Sequence, residues 1–225
     1  ASLQKTLHDR HPNNVIRLEL GYEQPGDTTG DNKYLRAAGA LKEWLKSGAL
    51  RRDDKPAIYY HTIEYQPPYS APGTPTKVFK GFLSTVELEE FGSGKIYPHE
   101  NTRAAAKTDR FNLIEACRAN FSAIISLYSD PQNDVLTLIE RSIASDKPRI
   151  DFQDDVGFRQ RLWSVTDPAV LAKVVEIMHT KQLYIADGHH RYETALNYRR
   201  ARRQQAGAPS GPQSYDNVLM LFASL

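Results

Sequence analysis

The chain has 225 residues, a hydrophobic fraction of 40% and a charged fraction of 25%, which suffices for one good-sized core or two small ones. Its formal net charge of +2 is too small by itself to imply nucleic acid, and no apolar run approaches the roughly 18 residues that a membrane-spanning helix needs. Cys117 is the only cysteine, which excludes an internal disulfide and a cysteine-built zinc site and fits a reducing, cytoplasmic compartment. The first ten residues are mixed and charged and do not read as a signal or transit sequence.

Along the chain, Ile16, Leu18 and Leu20 alternate with Arg17 and Glu19, which predicts a half-buried strand over residues 14–20. A polar link over 21–32 leads to a helix over 34–47, with Leu35, Ala38, Leu41 and Leu45 inward and Gly48 as its stop. Residues 57–65 read as a strand, the insert 66–76 with its four prolines as a loop, and 77–91 as one long or bent strand completing a wide hairpin. Thr108 is the expected N-cap of a helix running to about Asn120, with Phe111, Ile114 and Cys117 inward. A short apolar strand over 122–128 follows. Asp130-Pro131 then opens another helix, which carries Val135, Leu138 and Ile139.

Residues 147–163 read as a surface excursion with a charged strand. Asp167-Pro168 is the clearest helix start, a capping carboxylate followed by proline, with Val170, Leu171, Val174, Val175 and Met178 as the buried stripe. A strand over 183–186, a turn over 187–190, a helix over 192–203, a flexible loop over 204–214 and an apolar strand over 218–222 complete the reading. A buried strand with no successor suggests that the sequence is part of something longer. The expected fold is mixed α/β, either as an N-terminal region over 1–130 followed by a second region over 131–225, or as one continuous domain.

The turn Asp187-Gly188-His189-His190-Arg191 draws the chemistry together. A helix N-terminus offers unpaired N–H groups and partial positive charge, which suits a phosphate, and Gly188 allows close approach to the backbone. His189, His190 and Arg191 add donors, with Arg191 able to grip phosphate oxygens bidentately. Asp187, at the carboxyl end of a strand, could hold Mg²⁺ or accept a proton. The competing reading is a tight Asp-Gly turn with solvated histidines. Adjacent histidines lack the helical spacing of a zinc-protease pair.

A second polar cluster comprises His99, Glu100, Lys107, Asp109 and Arg110. Glu100 is a candidate base for an attacking hydroxyl, and Lys107 and Arg110 could neutralise phosphate charge; the alternative is a helix cap among solvated cations. Gly92-Ser93-Gly94-Lys95 lacks the upstream glycine and following hydroxyl of a P-loop and reads as a loop. The basic run Arg199 to Arg203 suits the last turn of a helix, and nucleic acid is not expected as the main ligand.

The block Ile185-Ala186-Asp187-Gly188-His189-His190-Arg191-Tyr192-Glu193-Thr194-Ala195-Leu196 resembles the signature of a prokaryotic family known only as domain-of-unknown-function family ten-fifteen. His11-Pro12-Asn13-Asn14-Val15-Ile16-Arg17-Leu18, His99-Glu100-Asn101-Thr102 and Lys107-Thr108-Asp109-Arg110-Phe111-Asn112-Leu113 extend the likeness over nearly the whole chain. The resemblance implies longer relatives, with an added N-terminal segment bearing Pro-Tyr-Asp and a further C-terminal region.

More distantly, Asp187 to Arg191 is similar to the phosphate-binding box of the ParB and sulfiredoxin fold, which free serine kinases share. Where sulfiredoxin has a catalytic cysteine this chain has histidine, which argues against sulfinic acid reduction. The DNA-binding helices that ParB appends are not visible. The resemblance implies a ParB/sulfiredoxin-like strand-turn-helix core with an additional mixed sheet. It also implies a Mg²⁺-dependent phosphotransferase that moves phosphate from ATP or ADP to a small hydroxyl-bearing substrate. Catalysis would fall to Glu100, Asp187 and His190, nucleotide binding to Gly188, His189, His190, Arg191, Lys107 and Arg110, and the metal to Asp187. The alternative is a non-catalytic, ParB-like nucleotide-binding regulator.

Overall fold

A computed structural model describes residues 2–71, 73–100, 104–207 and 209–225, with backbone alone for 104–106. Asn101 and Thr102 of the family block, Pro72 of the proline-rich insert and Ala208 of the loop after residue 203 lie outside the described residues. Contacts group the chain into two compact units. One comprises Lys55–Glu100, Ala123–His189 and Asn217–Leu225; the other comprises Ala1–Asp54, Asn101–Ser122 and His190–Asp216.

The first unit is a mixed eight-stranded sheet with two helices. Its strands are β1 (Ile58–Tyr65), β2 (Lys77–Glu87), β3 (Ile96–Tyr97), β4 (Ile124–Tyr128), β5 (Ile150–Gln153), β6 (Arg159–Val165), β7 (Leu183–Asp187) and β8 (Asn217–Ser224), in the order β3-β7-β4-β8-β2-β1-β6-β5. β3 runs parallel to β7 and β4 parallel to β8; the other neighbours are antiparallel. The expected hairpin is β1–β2, with Tyr65 opposite Lys77 across the proline-rich insert.

Burial alternates along β4 and β8, which places Ile124, Ser126 and Tyr128 and then Val218, Met220 and Phe222 inside. The stretch over 147–163 becomes the β5–β6 hairpin at the sheet edge, with β5 exposed along its whole length.

Two helices, α5 (Asp134–Ser142) and α6 (Pro168–Met178), belong to this unit. α6 begins as its sequence dictates, with the Asp167 carboxylate accepting from the Ala169 N–H and proline in the first turn. Its stripe is narrower than expected: Val174 is buried but Val175 is 65% exposed. α5 starts after Asn133 rather than at Asp130-Pro131. The Asp130 carboxylate instead accepts from the Val135 N–H at 3.0 Å and pairs with Lys181 at 3.0 Å.

The second unit is helical: α1 (Leu3–Arg10), α2 (Ile16–Glu19), α3 (Lys33–Ser47), α4 (Ala104–Cys117) and, from its second residue, α7 (His189–Gln205). The strand expected over 14–20 is the single helical turn α2. Asn14 accepts from the Ile16 N–H at 3.1 Å, and this local bond competes with extended pairing. Ile16 and Leu18 are buried as expected, but Leu20 is 45% exposed.

In α3, Asn32 caps the N-terminus by accepting from the Tyr34 and Leu35 N–H groups, and Gly48 ends the helix in the left-handed region at φ 80°. Ala37 and Trp44 define its buried face, so Leu35 and Leu45 point outward. α4 begins four residues before Thr108, which therefore lies within the helix and is not its N-cap. Leu113 is its buried anchor, while Phe111, Ile114 and Cys117 are half-buried.

The Asp130–Lys181 pair yields a stability prediction. The Asp130 side chain is fully buried, so Lys181→Met leaves a carboxylate without its countercharge. The expected loss is about 3 kcal/mol in chemical denaturation. A loss under about 1 kcal/mol would show that the pair contributes no more than an exposed one.

Candidate functional site

The site grows out of two parallel strands. Ile96 lies opposite Leu183 and Tyr97 opposite Tyr184, so β3 and β7 run in the same direction and their C-terminal extensions leave the same end of the sheet. This brings His99 and Glu100 beside Asp187 to His189, although 90 residues separate the two histidines in sequence. On the other side of β7, Asp187 lies opposite Ile125, where the register with β4 shifts; such irregularities re-aim a strand end. Gly188 then takes φ 99°, a conformation that side-chain-bearing residues rarely adopt, and α7 opens immediately at His189.

His189 is only 2% exposed. Its Nε2 accepts from the His99 backbone N–H at 3.2 Å, and the two rings meet edge to face at 4.5 Å. That bond places the proton of the neutral ring on Nδ1, which lies 3.6 Å from a Glu100 carboxylate oxygen. The other Glu100 oxygen is 3.9 Å from His99 Nε2. The His99 and Glu100 side chains are more than half exposed. A buried imidazole thus faces an accessible carboxylate, a pair able to take up and relay a proton. Asp187 is exposed at the end of its strand.

Within the helical unit, the remaining candidates enter ion pairs. Lys107 lies 2.7 Å from Glu193, and Thr194 donates to the Lys107 carbonyl at 3.5 Å. Arg110 lies 3.5 Å from Glu19 and 3.4 Å from Asp109, and Ser122 also donates to Glu19. Arg110, Arg191 and Thr194 line a small cavity of about 50 Å³. Asp109 is turned toward Lys33 at 2.8 Å and the Tyr34 hydroxyl at 2.9 Å, in a cleft of about 290 Å³ that Glu19 and Glu23 also line.

Of the polar cluster, then, Glu100 stands beside His189, Lys107 beside Glu193, and Arg110 shares a cavity with Arg191. Phosphate would compete with carboxylates for Lys107 and Arg110. Sequence reasoning misses Glu19, Lys33 and Tyr34. Glu19 is concealed by the strand reading, and the other two by their place at the start of a helix. In the basic run, Arg203 grips Asp216 through two bonds of 2.9 and 2.6 Å, and Arg202 lies over the Tyr215 ring at 5.9 Å. Lys95 of the Gly-Ser-Gly-Lys turn donates to the His179 carbonyl.

The family model described as "Protein of unknown function (DUF1015)" matches residues 1–225. The chain belongs to the DUF1015 family. No curated protein and no solved structure matches it. The block Ile185 to Leu196 on which the sequence resemblance rests covers the end of β7, Gly188 and the first turns of α7. No helix among the described residues is long and apolar enough to cross a membrane.

Two predictions follow from the helical unit. Burial alone would raise the Asp109 carboxyl, but the hydrogen bonds from Lys33 and Tyr34 outweigh it and hold Asp109 below the ordinary carboxylate range. Its stabilising effect is present above the unfolded-state value and lost as pH falls through the lower folded value. Asp109→Asn should therefore cost about 1 kcal/mol near neutrality, allowing for partial exposure, with the gap to the parent protein closing in acid. A gap independent of pH in denaturation curves would contradict this. Burial pushes the Cys117 thiol up to about 11. It should react slowly with thiol reagents in the native protein, and Cys117→Ser should leave any activity near its original level. Rapid labelling with loss of function would reverse the assignment.

Proposed function

We propose that the chain binds nucleotide phosphate at Asp187 to Arg191 and acts as a small-molecule phosphotransferase, with ATP or ADP as donor and a hydroxyl-bearing acceptor. The observation that carries this reading is the turn itself. A strand ends at a carboxylate, Gly188 turns the chain at φ 99°, and a helix opens at once with two histidines and an arginine. In the same proposal, the Asp187 to Arg191 element is a counterpart of the ParB/sulfiredoxin phosphate-binding box. As a fold-level analogy it supports the reaction class more than the substrate.

In this reading the α7 N–H groups, His190 and Arg191 hold donor phosphate oxygens, and Arg191 offers its planar fork. Asp187 would hold Mg²⁺: one accessible carboxylate completed by nucleotide phosphates is the environment that ion takes, so the residues fit. The bound ion would offset charge on the bridging phosphate oxygens. Glu100 takes the proton of the acceptor hydroxyl as its oxygen bonds to the transferred phosphorus and the bond to the departing nucleotide breaks. The buried His189 keeps that carboxylate oriented. Lys107 and Arg110 are engaged by Glu193 and Glu19 and are not the primary phosphate ligands in this reading.

Thermal unfolding with ATP or ADP and Mg²⁺ provides the test. Nucleotide should raise the midpoint of the parent protein, and Arg191→Ala should abolish the rise while leaving the unliganded midpoint unchanged. Glu100→Gln should retain the rise and lower phosphate transfer to small hydroxyl acceptors by about 100-fold or more. An equal rise in Arg191→Ala would refute the phosphate site. Nucleotide binding with no transfer to any acceptor would favour the regulator over the enzyme.

A further inference from the structure

We propose that His99, Glu100 and His189 form a three-ligand site for a divalent first-row transition metal. One ligand atom from each residue can be chosen so that all lie within 4.8 Å of one another. His189 Nδ1 lies 3.6 Å from one Glu100 oxygen and His99 Nε2 lies 3.9 Å from the other, so the carboxylate stands between the two imidazoles. With metal–nitrogen bonds of about 2.0–2.1 Å, neighbouring ligands of a tetrahedral ion stand about 3.4 Å apart. Within the 4.8 Å bound the ligand atoms must draw together by up to roughly 1.4 Å to reach that spacing, and the movement falls to the two exposed residues, His99 and Glu100.

The donor set selects the class of ion. Two imidazoles and one carboxylate suit zinc, iron, cobalt or nickel, whereas Mg²⁺ and Ca²⁺ prefer oxygen throughout. Three protein ligands with solvent on the remaining side is also the arrangement of an open, reactive centre. His189 is fixed by the buried start of α7, and His99 and Glu100 follow β3 by two and three residues. Parallel pairing of β3 with β7 is therefore what assembles the set.

Coordination through Nδ1 moves the His189 ring proton to Nε2, so the bond from the His99 N–H is given up. One neutral hydrogen bond is a small cost against metal–ligand bonds, and a rearrangement of residues 99–100 on loading is a direct consequence. This centre is distinct from Mg²⁺ at Asp187. In the phosphotransfer reading, an ion held through one Glu100 oxygen would lower the pKa of the acceptor hydroxyl, and the other Glu100 oxygen would take its proton. Metal binding does not rest on that reading, and metal alone tests it.

Calorimetric titration with Zn²⁺, with Co²⁺ absorption as a second readout, should show one ion per chain and a tetrahedral-type Co²⁺ spectrum, unaffected by excess Mg²⁺. His99→Ala and Glu100→Ala each remove an exposed ligand. Each should weaken Zn²⁺ binding by more than about 100-fold, beyond the 10–100-fold typical of losing a supporting partner, without shifting the metal-free melting temperature. Asp187→Asn should bind Zn²⁺ as the parent does. No Zn²⁺ binding, unchanged affinity in both alanine variants, or loss of binding in Asp187→Asn would each overturn the assignment. None of these results depends on nucleotide, so failure here leaves the phosphotransfer reading to its own test.

Discussion

The sheet depends on β8. It pairs in parallel with β4 on one side and antiparallel with β2 on the other, so without it the strands separate into β3-β7-β4 and β2-β1-β6-β5. Its inward residues Val218, Met220 and Phe222 are almost fully buried, and the Phe222 ring stacks on Phe82 at 4.9 Å. The backbones come close here. A Cβ on Gly81 would meet the Phe222 carbonyl oxygen at 2.7 Å, so glycine is the residue that this crossing of β2 and β8 admits. Because β4 is anchored by β8 and β7 by β4, the position of Asp187 is set by a strand that lies thirty and more residues further along the chain.

That order of dependence explains why a two-residue strand matters. β3 buries only Ile96 and contributes little area, yet its direction determines where His99 and Glu100 emerge. Antiparallel pairing with β7 would have sent them to the other end of the sheet. A short parallel strand at the sheet edge thus makes the convergence of a loop and a helix start possible, in keeping with the tendency of open sheets to gather ligands at strand carboxyl ends.

Much of this was legible in the sequence where a residue type has one physical use. Asp167-Pro168 starts a helix as read, although Asp130-Pro131 does not, the Tyr, Ile and Thr of 57–65 form a strand, and Asp-Gly after an apolar run turns the chain. Other elements were not legible because two mechanisms produce the same pattern. Ile16 and Leu18 are buried in one helical turn as they would be in a strand, and only the Asn14 bond separates the cases. Thr108 has the chemistry of a cap, but α4 had already begun at Ala104. Reading Glu100 into one site with Asp187 to Arg191 anticipated that the two segments converge, and Glu100 does stand beside His189, but the particular meeting of His99 with His189 follows from strand order, which no local pattern encodes.

The two adjacent histidines of the signature do not share one environment. His189 is almost wholly buried, accepts a backbone N–H and faces a carboxylate, while His190, the next residue in the chain, is half-buried and groups with the helical unit. A buried ring held by a fixed bond on one nitrogen has its tautomer decided by the protein, and so presents a defined group on the other nitrogen. His189 thus holds a fixed orientation toward Glu100, and in the phosphate-binding proposal contact with the anion would fall to His190 and Arg191. Exchange of imidazole for a group that cannot accept a hydrogen bond at 189 would leave the His99 N–H without its buried acceptor, whereas the exposed Glu100 carboxylate stays open to water.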